Sequence, residues 1–384
     1  MSQIEYYVNY LQSRFAGYSP VIKIAVFLIL LFILIYLLSL VRMFYLWRKS
    51  KQNARKQKKI NRFFKEDFSN LLYTKESYDY DYIFSILNKE NKLYKIKNKD
   101  YILNLLIELK NTKCKDGRFN ECNYANLINV GGLTEYLQKE LISGNNSQKK
   151  RALNYISQLN EGCSYRFSSS ILANLSNYRE DDIRKQAKCE FLKNDDHEEF
   201  KFLDNDYDKN FTKLDELRIH EALKKKSNER ELPLLIGWIL ESKDEDYKRF
   251  MIREIANFKQ TGCIPYLNDL YRTSGDRIKA QILESLNDLG YNFDYDFLEE
   301  QYNTTNSTHI QNTIIDIISQ SEGARALRKL PKMYHNTKDN NTRQQIIEKI
   351  DKLGENGKLA IAELYNKASE TEKINFEKYR YSFS

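Results

Sequence analysis

Side chains able to bind a metal or act as nucleophiles are sparse in this sequence. The four histidines, His197, His220, His309 and His335, stand at no metal-ligand spacing and fall in four separate segments. The five cysteines, Cys114, Cys122, Cys163, Cys189 and Cys263, include no C-x-x-C pair, and their odd number points to reduced, mostly buried thiols rather than a disulfide scaffold. H-E-x-x-H, G-x-S-x-G, P-loop and G-x-G-x-x-G strings are absent. Acid pairs such as Asp181 and Asp182, or Asp294 and Asp296, fall at expected helix starts or in loops, where carboxylates serve as caps. The most distinctive acidic stretch is NDDHEEFKFLDNDYDKN, residues 194–210. Asp204, Asp206, Asp208 and Asp215 occupy positions 1, 3, 5 and 12 of a calcium-loop spacing, but Lys209 stands where the sharp turn needs Gly, and position 12 lacks the bidentate Glu. A solvated loop offering a docking surface to a basic partner is the preferred reading. No catalytic residue, metal site or cofactor is expected.

The elements that must position any site are helical. Gly 13 and Pro 4 in 384 residues are too few to punctuate an all-β fold, while 41% hydrophobic residues suffice for a core. Ile24 to Val41 is an unbroken run without charge, IAVFLILLFILIYLLSLV, extended by Val21, Ile22 and a snorkelling Lys23. It is long enough to cross a bilayer, longer than a signal-peptide core, and followed by no small-x-small cleavage site, so an uncleaved transmembrane helix over 21–41 is predicted. Arg42, Arg48, Lys49, Lys51, Arg55, Lys56, Lys58, Lys59, Arg62 and Lys65 follow it without an intervening acid, against Arg14 and Lys23 before it. The positive-inside rule then puts residues 1–20 outside and the remainder in the cytoplasm, as in a single-pass protein of a bacterial inner membrane. Ile4, Val8, Leu11 and Phe15 fit either an interfacial helix or an unstructured tail.

Locating the charge changes its meaning. With the ten basic residues of 42–65 and Arg14, Lys23 and Glu5 set aside, 49 basic face 52 acidic groups. The formal +8 therefore belongs to the juxtamembrane segment, whose Arg42 to Arg62 stripe is read as contact with anionic lipid headgroups rather than nucleic acid.

Within the cytoplasmic part a period of about 32 residues runs through Arg151, Arg184, Arg218, Arg249, Lys279, Gln311 and Arg343. Before most of these sits a short polar residue read as an N-cap: Asp181, Asp215, Asp246, Asp276, Ser307 or Thr308, and Asp339. A dozen residues after several of them a Gly and its neighbour open a second apolar helix, at Gly162-Cys163, Gly262-Cys263, Gly323-Ala324 and Gly357-Lys358. The unit is helix, short turn, helix. Residues 66–145 are read as an irregular N-terminal cap, with a helix through Ile102, Leu105, Leu106 and Leu109, a partner from Gly131, and 111–130 inserted between them. TEKINFEKYR is read as a closing helix. Tyr73, Tyr78, Tyr80, Tyr82, Tyr291 and Tyr295 belong either to a binding groove or to a compositional bias.

The strings DDIRKQAKCEFL, DELRIHEAL, EDYKRFMIREIANF, GDRIKAQILESLNDLG and DNNTRQQIIEKIDKLG resemble HEAT-like repeats of the phycobilisome-lyase type, D-x-x-R-x-x-A-x-x-x-L followed by L-G, over about residues 146–366. The resemblance implies an all-α solenoid of about seven to eight helix pairs over 146–384, in which Arg151, Arg184, Arg218, Arg249 and Arg343 form a structural ladder, Asp/Arg pairs bridging neighbouring repeats. By analogy with membrane-anchored HEAT proteins it implies a non-enzymatic scaffold that binds a membrane-associated protein partner, in a glycosyltransferase, polysaccharide-synthesis or transport setting. Two alternatives remain. One is an enzyme or nucleic-acid-binding protein of the lyase or glycosylase type, which the absent catalytic constellation disfavours. The other is a signalling receptor, disfavoured by a short external segment.

Overall fold

The computed structural model describes residues 16–88, 99–113, 119–160, 167, 169–194, 198–204, 206–337 and 339–376, with Tyr6, Tyr10 and Ser13. The readings placed on Ile4, Val8, Leu11, Arg14, Phe15, Cys114, Gly162, Cys163 and His197 lie outside the described residues. Among the described residues the chain is helical, with no strand. It divides into two compact units, Met1–Lys139 with Ser157–Tyr165, and Glu140–Ile156 with Arg166–Ser384.

The first unit is built on α1 (Pro20–Leu72), 53 residues long and opened by Pro20, whose missing N–H costs nothing in a first turn. At roughly 1.5 Å per residue it measures about 80 Å. One stretch is long and apolar enough to cross a membrane, and none of that stretch is buried against protein. The expected boundary between a span ending at 41 and a basic segment of 42–65 is not a structural one: Arg, Lys, Gln and Ala without Gly or Pro simply continue the helix.

The far end of α1 enters the unit's core with Phe64, Phe68, Leu71 and Leu72. It packs on α3 (Lys99–Lys113) and α4 (Glu121–Val130), while α2 (Tyr80–Asn88) packs on α4. Ile102, Leu105, Leu106 and Leu109, the stripe read from the sequence, are all buried. Gln57 donates to the Tyr101 carbonyl at 3.0 Å, and the Tyr101 hydroxyl reaches Asn53 at 3.0 Å, so the docked part of α1 begins near Asn53. Asn123 is fully buried yet satisfied: its amide donates to the Leu71 and Glu76 carbonyls, both at 2.8 Å, and its oxygen accepts from Tyr78 N–H at 2.7 Å. The supposed insertion 111–130 thus contains a core helix, α4, capped by Asn120, whose side chain accepts from Asn123 N–H. A helix does begin just after Gly131, α5 (Leu133–Ser143).

In the second unit, which takes α6 (Asn146–Asn160) up to Ile156, α7 (Ser169–Leu175) packs on α8 (Asp181–Asn194), and α8 on α9 (Lys213–Glu229). First helices then alternate with second helices along the chain: α10 (Ile236–Glu241), α11 (Glu245–Asn257), α12 (Ile264–Thr273), α13 (Asp276–Asp288), α14 (Tyr295–Thr304), α15 (Thr308–Gln320), α16 (Gly323–Asn336), α17 (Asn340–Asp351) and α18 (Glu355–Lys367), with α10 packing on α11, α12 on α13, α14 on α15, α15 on α16 and α17 on α18. Helices α9, α11, α13, α15 and α17 begin 32, 31, 32 and 32 residues apart. α11 packs on α13, α13 on α15 and α15 on α17, while α14 packs on α16 and α16 on α18. The first helices bury Ile252 and Ile255, Ile282 and Leu286, Ile314 and Ile318, and Ile346 and Ile350. The second helices repeat an apolar residue and a Tyr one turn apart, Leu267 and Tyr271, Leu298 and Tyr302, Leu330 and Tyr334, Ile361 and Tyr365. Of these tyrosines 271, 302 and 334 are buried.

The caps differ in detail from those read from the sequence. Asp339 caps α17 as expected, accepting from Thr342 N–H at 2.8 Å. Asp244 rather than Asp246 caps α11, Gly275 rather than Asp276 precedes α13, and Asp215 is the third residue of α9 in a capping box with Thr212. The cap of α11 stands five residues before Arg249, not three or four, because the distance from cap to register residue varies between repeats. Gly323 opens α16, whereas Gly262 and Cys263 form a 3-10 turn before α12, and Gly357 lies inside α18. The closing segment is a single turn, α19 (Glu370–Lys373), followed by a 3-10 turn that buries Phe376 against Tyr334 and Tyr365.

Candidate interaction surface

Arg42, Arg48, Lys49, Lys51, Arg55, Lys56, Lys58, Lys59 and Arg62 all lie on α1. Apart from the partly covered Gln57, Ile60 and Asn61, residues 42–62 are exposed. Arg48 lies over the Phe44 ring at 4.5 Å and Lys51 over Trp47 at 5.2 Å, so aromatics and cations share one belt next to the apolar stretch.

The register residues do not act as one ladder of Asp/Arg bridges. Arg218 and Arg249 only approach the acid one turn back, Asp215 at 3.5 Å and Asp246 at 3.7 Å, and Arg151 pairs with Glu140 at 3.0 Å. Arg343 reaches Glu372 at 2.9 Å. Among the contacts that join successive repeats are cations on the tyrosine of the preceding second helix, Lys279 over Tyr271 at 5.5 Å, Arg343 over Tyr334 at 5.3 Å and Lys373 over Tyr365 at 5.6 Å, and ion pairs at other positions, Arg253 with Glu216 at 2.6 Å and Lys349 with Asp316 at 2.5 Å. The departure of Lys279 from Arg is therefore tolerated, because a ring face accepts either cation.

Arg184 is the exception, forking onto Asp208 at 2.7 and 2.8 Å. Two of the four acids at the calcium-loop spacing are engaged by cations. Asp208 is held by Arg184 and Lys188, Asp215 by Lys185 at 2.6 Å, and Asp204 accepts from the Trp238 indole at 2.7 Å. Burial pushes the Asp208 carboxyl up, but the hydrogen bonds from Arg184 and Lys188 outweigh it and hold it at about 2. Cys189 and Cys263 are buried between helices, and burial pushes the Cys189 thiol up to about 12, an inert packing residue. His220 Nδ1 meets the buried Glu254 carboxylate at 2.7 Å, and His335 packs edge-on to Tyr334.

One polar hollow of about 470 Å³ crosses three first helices. Arg249 enters it from α11; Arg277, Gln281 and Glu284 from α13; His309, Asn312, Thr313 and Asp316 from α15. Ala280 forms part of its wall, where a larger side chain would fill it. Two of its acids are already engaged: Asp316 pairs with Lys349 at 2.5 Å, and Glu284 accepts from Gln281 at 3.0 Å. A second hollow, about 380 Å³, lies beside Asp204, Asp206, Trp238 and Glu241. Apart from Arg249 and His309, the residues of the larger hollow were not singled out from the sequence. Their signal was the period itself: counted from the helix starts, Arg249, Ala280 and Asn312 hold equivalent positions of α11, α13 and α15, as do Arg277 and His309, Gln281 and Thr313, and Glu284 and Asp316.

No protein-family model, curated protein or solved structure matches the chain.

Proposed function

We propose that the chain is a single-pass membrane-anchored adaptor, its N-terminus outside and its bulk in the cytoplasm, whose HEAT-like repeats stack as an α-solenoid and bind a membrane-associated protein partner. The observation carrying this reading is α1. One unbroken helix passes from an uncharged apolar stretch, through nine basic residues, into a protein core at Phe64. Such a helix fixes a folded unit beside a bilayer instead of tethering it through a loose linker, and the basic belt suits anionic headgroups. The repeat reading is supported by the near-constant spacing of helix starts and by the packing of first helix on first helix and second on second. Extended repeat surfaces bind other proteins without catalytic groups.

The test is a crosslinked pull-down of the full-length protein from membranes, beside a variant lacking residues 1–48. That truncation spares the docked segment from Asn53 onward. A stoichiometric membrane protein recovered with the full chain is the expected result, and its recovery should fall in the truncated form as local concentration at the bilayer is lost. Recovery of a lipid or small molecule alone would remove the adaptor reading.

A further inference from the structure

We infer that the hollow across α11, α13 and α15 is the docking site for an acidic, extended segment of that partner, its carboxylate held by Arg277 and Arg249; this rests on the adaptor reading. The charges within the hollow are unequally committed. Asp316 lies 2.5 Å from the Lys349 ammonium, and Glu284 accepts from the neutral Gln281 amide. Arg277 makes no ion pair among the described residues, and Arg249 has only Asp246 at 3.7 Å, while its Nε is buried without a hydrogen-bond partner. A guanidinium edge shut away from water and left unpaired is costly, and a carboxylate is the acceptor whose two oxygens match its fork. The N-termini of α13 and α15 add their positive ends on the same side, since Arg277 and His309 stand second in those helices.

A second requirement narrows the ligand to a peptide. Asn312 presents a buried side-chain oxygen without a partner, one helix over from Arg277. It needs a donor, which a backbone N–H supplies and the phosphodiesters of a DNA backbone do not. Glu284 and Asp316 also line the hollow and repel a polyanion, so an isolated Asp or Glu flanked by ordinary peptide fits better than a run of phosphates. The volume, about 470 Å³, falls within the roughly 300–1,000 Å³ of ligand sites.

The test uses the full-length protein in nanodiscs of neutral lipid, with a fluorescent Glu/Ser peptide and its Gln/Ser counterpart read by polarisation. The expected result is binding of the Glu peptide, about tenfold weaker binding of the Gln peptide, and a loss of about tenfold in each of Arg249→Gln and Arg277→Gln, corresponding to about 1.4 kcal/mol. Unchanged thermal melting of both variants is part of the expectation. Lys56→Gln with Lys58→Gln controls for attraction to the basic belt. Equal binding of the two peptides, no binding, loss only in the belt control, or displacement by inorganic phosphate alone at similar concentration would each overturn the inference. If the partner in the membrane pull-down survives both arginine substitutions, the adaptor reading stands and this site does not.

Discussion

Asp208 shows at the level of one residue how a carboxylate read from spacing as a possible ligand becomes a structural acid. The calcium-like spacing of Asp204, Asp206, Asp208 and Asp215 was visible, but spacing says nothing about cations twenty to thirty residues away, and Arg184, Lys188 and Lys185 claim two of the four. Because the native Asp208 carboxyl is held below its ordinary 3.8, at about 2, its stabilisation is complete above the higher value and is lost as pH falls through the lower. Unfolding measured across that acid window should lose part of its pH dependence in Asp208→Asn. At neutral pH the same substitution should cost about 3 kcal/mol, since it leaves Arg184 without its fork. The tyrosines teach a related lesson. Of the tyrosines that composition left between groove and bias, Tyr80 and Tyr82 are exposed, whereas the recurrence of an apolar residue and a Tyr in α12, α14, α16 and α18 places three others, Tyr271, Tyr302 and Tyr334, in the core. Leu330→Ala, which empties one of these contacts, should cost about 2–5 kcal/mol in chemical unfolding.

Among the elements, long helices with strong apolar stripes were legible and short polar ones were not. The stripe of α3 and the start of α17 came directly from periodicity and an Asp cap. α4, ECNYANLINV, escaped because its core contacts include Asn123, a polar residue whose burial makes sense only once the Leu71 and Glu76 carbonyls are in place. At α18 the glycine read as a turn residue is instead a contact residue: a Cβ at Gly357 would collide with the Ile350 carbonyl oxygen, while the turn is made by Gly354 at φ +79°. Gly357→Ala should therefore lower the melting temperature despite Ala's better helix propensity, and no change would show that α17 and α18 can separate freely. For the basic part of α1, a peptide of residues 42–62 should bind phosphatidylserine vesicles with roughly fivefold loss for each Lys or Arg replaced by Gln, near 1 kcal/mol apiece, and should ignore neutral vesicles.

Along the whole chain, the described residues hold one long apolar helix and a series of first helices starting every 31–32 residues, and both features were present in the sequence as an uncharged run and a period of about 32 residues. What the period did not disclose is how the repeats are linked. The Asp/Arg pattern suggested bridges between neighbours, but most of those pairs are local, and neighbours are joined instead by cations on tyrosine rings and by ion pairs at other positions, such as Lys349 with Asp316. The polar hollow was hidden for a different reason: its residues lie in equivalent positions of three repeats, and each looks like ordinary surface until the helices are set side by side. The central claim is an anchored adaptor whose first-helix surface engages a protein. It is tested most directly by a photo-crosslinking residue placed at Thr313 in the full-length protein in native membranes, with the same residue at the exposed Leu359 of α18 as reference. The account requires one discrete protein adduct at position 313 and none of comparable yield at 359. Adducts to lipid alone, or equal and diffuse labelling at both positions, would contradict it.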